Sequence, residues 1–167
     1  YPYDVVIVEL GTDGPGQLKE FSGWLQPDIG VLTSIAPEHM ENFSTIHDVA
    51  KEEMVLASLC SKLVINHDLV DARYMPQRQD VYTYGLHENA LYQVQDVQKK
   101  LNENQVYDCD ISVTKHGQSF VQLSTILISD VQLYSVAAAV AVADLLQMPQ
   151  NEIIEGAKHL TAVQGRM

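Results

Sequence analysis

A chain of 167 residues, 46% of them hydrophobic, is long enough for one globular domain with a real core and too short for several. Its ten basic residues against 22 acidic ones leave a formal charge of -12, which excludes unassisted binding of nucleic acid or of an anionic membrane, since both need clustered Lys and Arg. No apolar stretch approaches the roughly 20 residues of a membrane span, Tyr1-Pro2-Tyr3-Asp4 lacks the pattern of a secretion signal, and Cys60 and Cys109 fit neither a metal spacing nor a disulfide framework. A cytoplasmic, reducing setting with two plain core cysteines is therefore expected.

Taken in chain order, Asp4 to Leu10, Asp28 to Ile35 and Lys62 to Asn66 are short, β-branched apolar runs. That is the pattern of strands covered on both faces in a parallel sheet. Helix-length segments, Gln17 to Leu25 and Thr45 to Cys60, lie between them, so strand alternates with helix. The expected fold class is α/β, a doubly wound, mostly parallel sheet with helices on both faces. Leu91 to Val97, Gln105 to Thr114 and Ser119 to Leu127 alternate more clearly and predict an antiparallel strand group at a sheet edge, with His116-Gly117-Gln118 as a turn. An Ala-rich helix from Asp130 to Leu146 follows, then a last helix from Asn151 to His159 with Asn151 as its N-cap.

Glu9 is the only charged residue within the first apolar run, and it falls at that run's carboxyl end, where open α/β sheets bind ligands. His39 ends the loop after the second run and is placed on the same rim. A carboxylate and an imidazole on one rim make a divalent-metal pair. In the Thr45 to Cys60 segment, Ile46, Val49, Ala50, Met54, Ala57 and Cys60 share one apolar face. Glu53 lies within about 20° of Ile46 at 100° per residue, so it is expected to aim inward, while Lys51 and Glu52 point away. A buried carboxylate needs a partner, and a metal held with Glu9 and His39 supplies one. Gly11 to Gly16 has the spacing of a phosphate loop but continues Gln17-Leu18 instead of Lys and Ser or Thr, so it is expected to be a plain strand-to-helix turn. Arg166, near the chain's end, has the geometry to bind a phosphate oxygen bidentately.

Several linked motifs resemble the central domain of the Mur ligases in order and spacing. They are Val8-Glu9-Leu10-Gly11, Pro15-Gly16-Gln17-Leu18, Pro27-Asp28-Ile29-Gly30-Val31-Leu32-Thr33, Pro37-Glu38-His39-Met40-Glu41-Asn42-Phe43, Val49-Ala50-Lys51, Val64-Ile65-Asn66-His67-Asp68 and Gly165-Arg166-Met167. The branch most similar adds D-alanyl-D-alanine to a UDP-linked muramoyl tripeptide. The resemblance implies an ATP-dependent amide ligase acting through an acyl phosphate with Mg²⁺. Its partners would be a UDP-linked muramoyl peptide and an amino acid or dipeptide, and the protein would be a monomer. It makes Glu9 and His39 metal ligands and Arg166 a nucleotide-phosphate contact. Where most members carry a carbamylated lysine, the spacing from His39 lands on Glu53, which implies that Glu53 is a built-in carboxylate acting with His39 in catalysis and metal binding. The family's His-Asn pair and later Asn are replaced by Asp130-Val131 and Tyr134. Its Gly-Lys-Thr/Ser phosphate loop is expected upstream of Asp4, so the chain reads as an incomplete P-loop-type central domain from residue 1 to 167, without substrate and carboxyl-terminal domains and inactive alone. Another ligase of the superfamily, one adding a different amino acid or a glutamate tail to folate, and a non-catalytic module of the same fold are the competing expectations.

Overall fold

One mixed sheet organises the chain. The computed structural model describes residues 3–103, 106–127 and 129–160. Among them, β1 (Ile29–Leu32), β2 (Lys62–Asn66), β3 (Val81–Gly85), β4 (Tyr92–Leu101), β5 (Tyr107–Lys115) and β6 (Gln118–Leu127) lie side by side in chain order. The pairs from β1 to β4 are parallel, and β4-β5 and β5-β6 are antiparallel. Both halves of the expected sheet are thus present, the parallel one and the antiparallel edge group. Its last turn has both His116 and Gly117 at positive φ, 51° and 71°, the backbone a tight hairpin needs.

The helices are α1 (Gln17–Phe21), α2 (Ile46–Glu53), α3 (Leu56–Leu59), α4 (Gln132–Leu145) and α5 (Gln150–Ala157). β2 shows how they cover the sheet. Leu63, Val64 and Ile65 are all fully buried. Alternate side chains point to opposite faces, and Val64 packs in a core with residues of α4 and α5, whereas Leu63 and Ile65 pack with Ala50, Leu56 and Cys60 on the α2-α3 side. Helices therefore lie on both faces, and the continuous apolar run of this strand records that double burial. Gly30 permits the close approach of α3 to β1, since a Cβ there would lie 2.8 Å from Cys60 Sγ and 2.9 Å from Leu56 Cγ. Both cysteines are free and buried.

Three expectations need correction, and one strand is additional to them. The Asp4 to Leu10 run is not a strand: it has no regular structure, and Val6 and Ile7 are 73% and 91% exposed. An apolar pattern signals burial, but a strand also needs a ladder partner, and none of the described strands pairs with this run. The long second helix is two, because Val55 N–H bonds Glu52 O and Ala57 N–H bonds Met54 O in tightened turns between α2 and α3. Asn151 is inside α5, whose N-cap position is Pro149, so the turn starts two residues early with φ already fixed by the ring. Finally, β3 was not anticipated. Its Val81-Tyr82-Thr83-Tyr84-Gly85 mixes aromatic and hydroxyl side chains, and its burial rises only along its length.

β3 also sets the shape of the rim. Its last residues, Tyr84 and Gly85, pair with Tyr92 and Gln93 at the start of β4. The antiparallel group therefore runs on well past the carboxyl ends of the parallel strands.

Candidate functional site

The site is built where α1, α2 and the loop after β1 meet. Thr45 caps α2 in a full capping box: its hydroxyl accepts from Asp48 N–H at 3.2 Å, and its own N–H donates to Asp48 Oδ2 at 2.9 Å. This fixes the start of α2 and hence the facing of the two glutamates at its end. Glu52 is buried, 6% exposed, and its carboxylate accepts from Gly16 N–H and Leu18 N–H, both at 2.7 Å. α1 has no capping side chain of its own. Glu52 supplies the cap from another helix, and two charge-assisted bonds satisfy its buried charge. Gly16 reaches this position at φ 90°, open to glycine. The expectation that Glu52 points away is thus corrected, because the neighbour across α2 at this point is the first turn of α1 rather than solvent. The Gly11 to Gly16 segment is indeed a turn into α1.

Glu53, the next residue, is half-buried and makes no such bonds among the described residues. Burial raises its carboxyl above the ordinary range, and the Glu38 and Glu52 carboxylates add to the rise. The Glu38 influence places Glu53 toward the loop that carries His39. That loop turns sharply at His39, whose φ is 51°, with Asn42 N–H and Phe43 N–H both donating to His39 O. His39 Nδ1 lies 3.7 Å from Glu41 Oε1, and its side chain is about half exposed. Asn42 Nδ2 donates to Asp13 O at 2.7 Å, which ties this loop to the turn that follows Glu9. The structure therefore links the three segments of Glu9, His39 and Glu53 by named bonds. Among the described residues, no three His, Cys, Asp or Glu side chains are already gathered in metal-holding geometry. Glu9 itself is on the exposed run, and Arg166 lies outside the described residues. Lys51 is exposed on α2.

A second polar group stands at the carboxyl ends of β2 and β3. Asn66, 1% exposed, accepts from Asp68 N–H and Leu69 N–H and turns the chain out of the strand. Its side chain also bonds the Tyr84 hydroxyl, which burial pushes up to about 12. Asp68 accepts from Leu86 N–H at 2.7 Å, and a Cβ on Gly85 would lie 2.8 Å from its Oδ1, so only glycine leaves room. His67 and His87 stack with centroids 5.2 Å apart. Tyr134, at one of the positions that depart from the family pattern, hydrogen-bonds Asp68, and its hydroxyl is raised by burial first and then by that carboxylate. Asp130, at the other, is paired with Lys99.

Sequence reasoning missed Glu52, Asp68 and His87. For Glu52 a signal existed: Gly16-Gln17-Leu18 opens a helix with no capping side chain, so its N–H groups need a distant acceptor.

Comparison with known proteins shows the family and the fold. The Mur ligase middle domain matches residues 2–143. The chain is 28% identical, over 84% of its length, to the UDP-N-acetylmuramoyl-L-alanyl-D-glutamate--2,6-diaminopimelate ligase of Chlamydia abortus, of which it covers 29%. It is 26% identical, over 78% of its length, to the UDP-N-acetylmuramate--L-alanine ligase of Trichormus variabilis, of which it covers 27%. The fold is shared with MurF from Acinetobacter baumannii, at TM-score 0.78 and 14% identity, covering 94% of this chain and 34% of that one. It is also shared with a pseudomurein peptide ligase type C from Methanothermus fervidus, at TM-score 0.71 and 20% identity, covering 96% and 40%. The chain thus spans under a third of the length of these curated relatives. No helix among the described residues is long and apolar enough to cross a membrane.

Proposed function

Because this chain belongs to the Mur ligase middle-domain family, matched over residues 2–143, we propose that it is the catalytic core of an ATP-dependent amide ligase of peptidoglycan precursor synthesis. ATP phosphorylates a substrate carboxylate, and the incoming amine attacks the acyl phosphate, expelling phosphate and leaving the amide. The observation that carries the reading is Glu53, a half-buried carboxyl raised by burial and by two neighbouring carboxylates beside the His39 loop. Such a group is costly unless a cation faces it. Hard oxygen donors with one imidazole suit a divalent cation such as Mg²⁺, so the residues fit one. Glu53, His39 and Glu9 are the residues that would hold it; when bound, Mg²⁺ supplies neutralisation of charge building on phosphoryl oxygens. Glu52 acts through position: by holding Gly16 and Leu18 it fixes the turn after Glu9 against α2. Arg166 would contact a nucleotide phosphate.

The amine we assign is D-alanyl-D-alanine, added to a UDP-linked muramoyl tripeptide, on the strength of the motif resemblance. The names of the curated relatives favour a second reading, in which diaminopimelate or L-alanine is the amine. Phosphate release from ATP by the protein bearing this domain, measured with each acceptor and amine in turn, separates them. Turnover with diaminopimelate or L-alanine alone would replace the assignment, and no turnover with any amine would point to a non-catalytic module. The role of Glu53 is tested by Glu53→Ala, which should abolish ligation without rescue by bicarbonate. In this chain alone, Mn²⁺ should broaden the resonances of His39 and Glu53 before those of Asp68; uniform broadening would remove the metal assignment.

A further inference from the structure

Beyond the rim the antiparallel group has two outer edges, and they are built differently. Past Gln93 none of the described strands pairs with the outer side of β4. That edge carries Asp96, Lys99 and Lys100 and a register shift between Gln95 and Gln98, the charges and the break that keep a further strand from adding to an edge. β6, the other edge, pairs only with β5 among the described strands, and its ten residues hold no charge, no proline and no glycine. Its one register shift lies near its start, between the Val113-Val121 and Thr114-Ser119 pairs, so Val121 to Leu127 is an unbroken run. Gln122, Ser124 and Ile126 are exposed on one face of that run, and Val121, Leu123, Thr125 and Leu127 are buried on the other.

The charge of the chain decides which strand fits there. With 22 acidic residues against ten basic ones, two copies repel wherever their charged surfaces meet. Along β6 there is no charge to oppose. An antiparallel copy related by a two-fold axis at Ser124 sets Ser124 against Ser124, Gln122 against Ile126 and Leu123 against Thr125, so exposed residues stay on one face of the joined sheet and buried ones on the other. Asp108 and Asp110 of β5, on the exposed face, would each stand about three strand spacings from their counterparts, roughly 14 Å, against a Debye length of about 8 Å at physiological salt. We propose that β6 is the joining strand of a two-fold dimer, a second copy of this chain adding antiparallel to its free edge to make one continuous sheet. This goes beyond the ligase reading and uses none of its residues, and it displaces the monomer that the family resemblance implies.

The test is sedimentation equilibrium of the chain over a range of concentrations, where a reversible monomer-dimer equilibrium is expected. Ser124→Lys sets two ammonium groups against each other at the axis and should weaken the dimer roughly tenfold or more. Ser124 is exposed, so this substitution leaves the core untouched. Ile7→Lys, in the exposed apolar run, should leave the equilibrium unchanged. Ser124→Cys should cross-link the two copies on mild oxidation, because opposed residues of an antiparallel pair stand at the Cα separation of a disulfide, and the native cysteines are buried. Gln118→Cys, far from the axis in that register, should not. A chain that sediments as a monomer at every concentration would overturn the proposal and leave the edge to a strand of another protein. An equilibrium that Ser124→Lys leaves intact, or one that Ile7→Lys abolishes, would overturn it as well, the latter by placing the join on the first apolar run.

Discussion

The two ends of the molecule are held together by different physics. From β2 to α5 the chain is held by a core: Tyr84, Tyr92, Ile111 and Val113 are at most 2% exposed and pack against Val136, Ala137, Val140 and Ala141 of α4. From Asp4 to Trp24 much of the apolar surface is outside, with Val5, Val6, Ile7 and Val8 at least half exposed and Trp24 69% exposed. That stretch, and with it the His39 loop, is fastened by polar bonds, Glu52 to Gly16 and Leu18, and Asn42 to Asp13. The candidate ligands Glu9 and His39 belong to the polar-fastened region. Residues that gather around a ligand sit on turns, which a rigid core positions but does not bury.

This contrast is open to attack from the side of its largest expected effect. Ile111→Ala, in the core, should cost about 2–5 kcal/mol in denaturant unfolding, and Ile7→Ala, on the exposed run, should stay within about 0.5 kcal/mol. Comparable losses at the two positions would mean that the first run is covered after all. Next comes Glu52→Ala, which removes two charge-assisted bonds and leaves two N–H groups without their acceptor, at a cost of about 3 kcal/mol. Glu52→Gln keeps an acceptor and should lose less. If the alanine variant unfolds like the parent, α1 is not fastened through α2.

The same division explains what could be read in the sequence. β2 was legible to the residue, because Leu63, Val64 and Ile65 are all buried, on alternate faces of the sheet, as a continuous apolar run leads one to expect. The antiparallel group was legible through its alternation, visible in the burial of β6. The first run carried the same apolar signal as β2 and failed, since a one-dimensional pattern encodes burial but not the neighbouring strand that provides it. Along α2, periodicity selected Glu53 as the inward carboxylate, yet Glu52 is the buried one. A 100° step cannot foresee that α1 arrives from the side with two unsatisfied N–H groups. Asp68 and His87 were hidden for a similar reason, as they meet only through the β2-β3 register.

Glu53 offers a subtler break. Its carboxyl is raised by burial, with Glu38 and Glu52 adding to it, so the folded chain holds that proton more tightly than the unfolded chain does. The stability tied to it is present at low pH and is lost as pH rises from the ordinary glutamate range through the raised folded value. Glu53→Gln should therefore be more stable than the parent at pH 7 and lose that advantage toward pH 4, by an amount smaller than the Glu52→Ala loss. A difference independent of pH, or one that grows as pH falls, would show that burial and the neighbouring carboxylates do not disfavour the Glu53 charge.

The smallest effect tests the link on which the rim depends. Asn42 Nδ2 donates to Asp13 O at 2.7 Å in an exposed setting, so Asn42→Ala should cost only about 0.5 kcal/mol globally. Its consequence is local: with the bond gone, the His39 loop and the turn after Glu9 are no longer tied to one another, while Glu52 still holds Gly16 and Leu18. Amide exchange of Gly14 and Phe43 should quicken severalfold, and that of Leu63 and Val113 in the core should not change, because local opening and global unfolding are separate events. Faster exchange in the core as well would show that the polar-fastened region and the core open as one unit, and the division between them would fail.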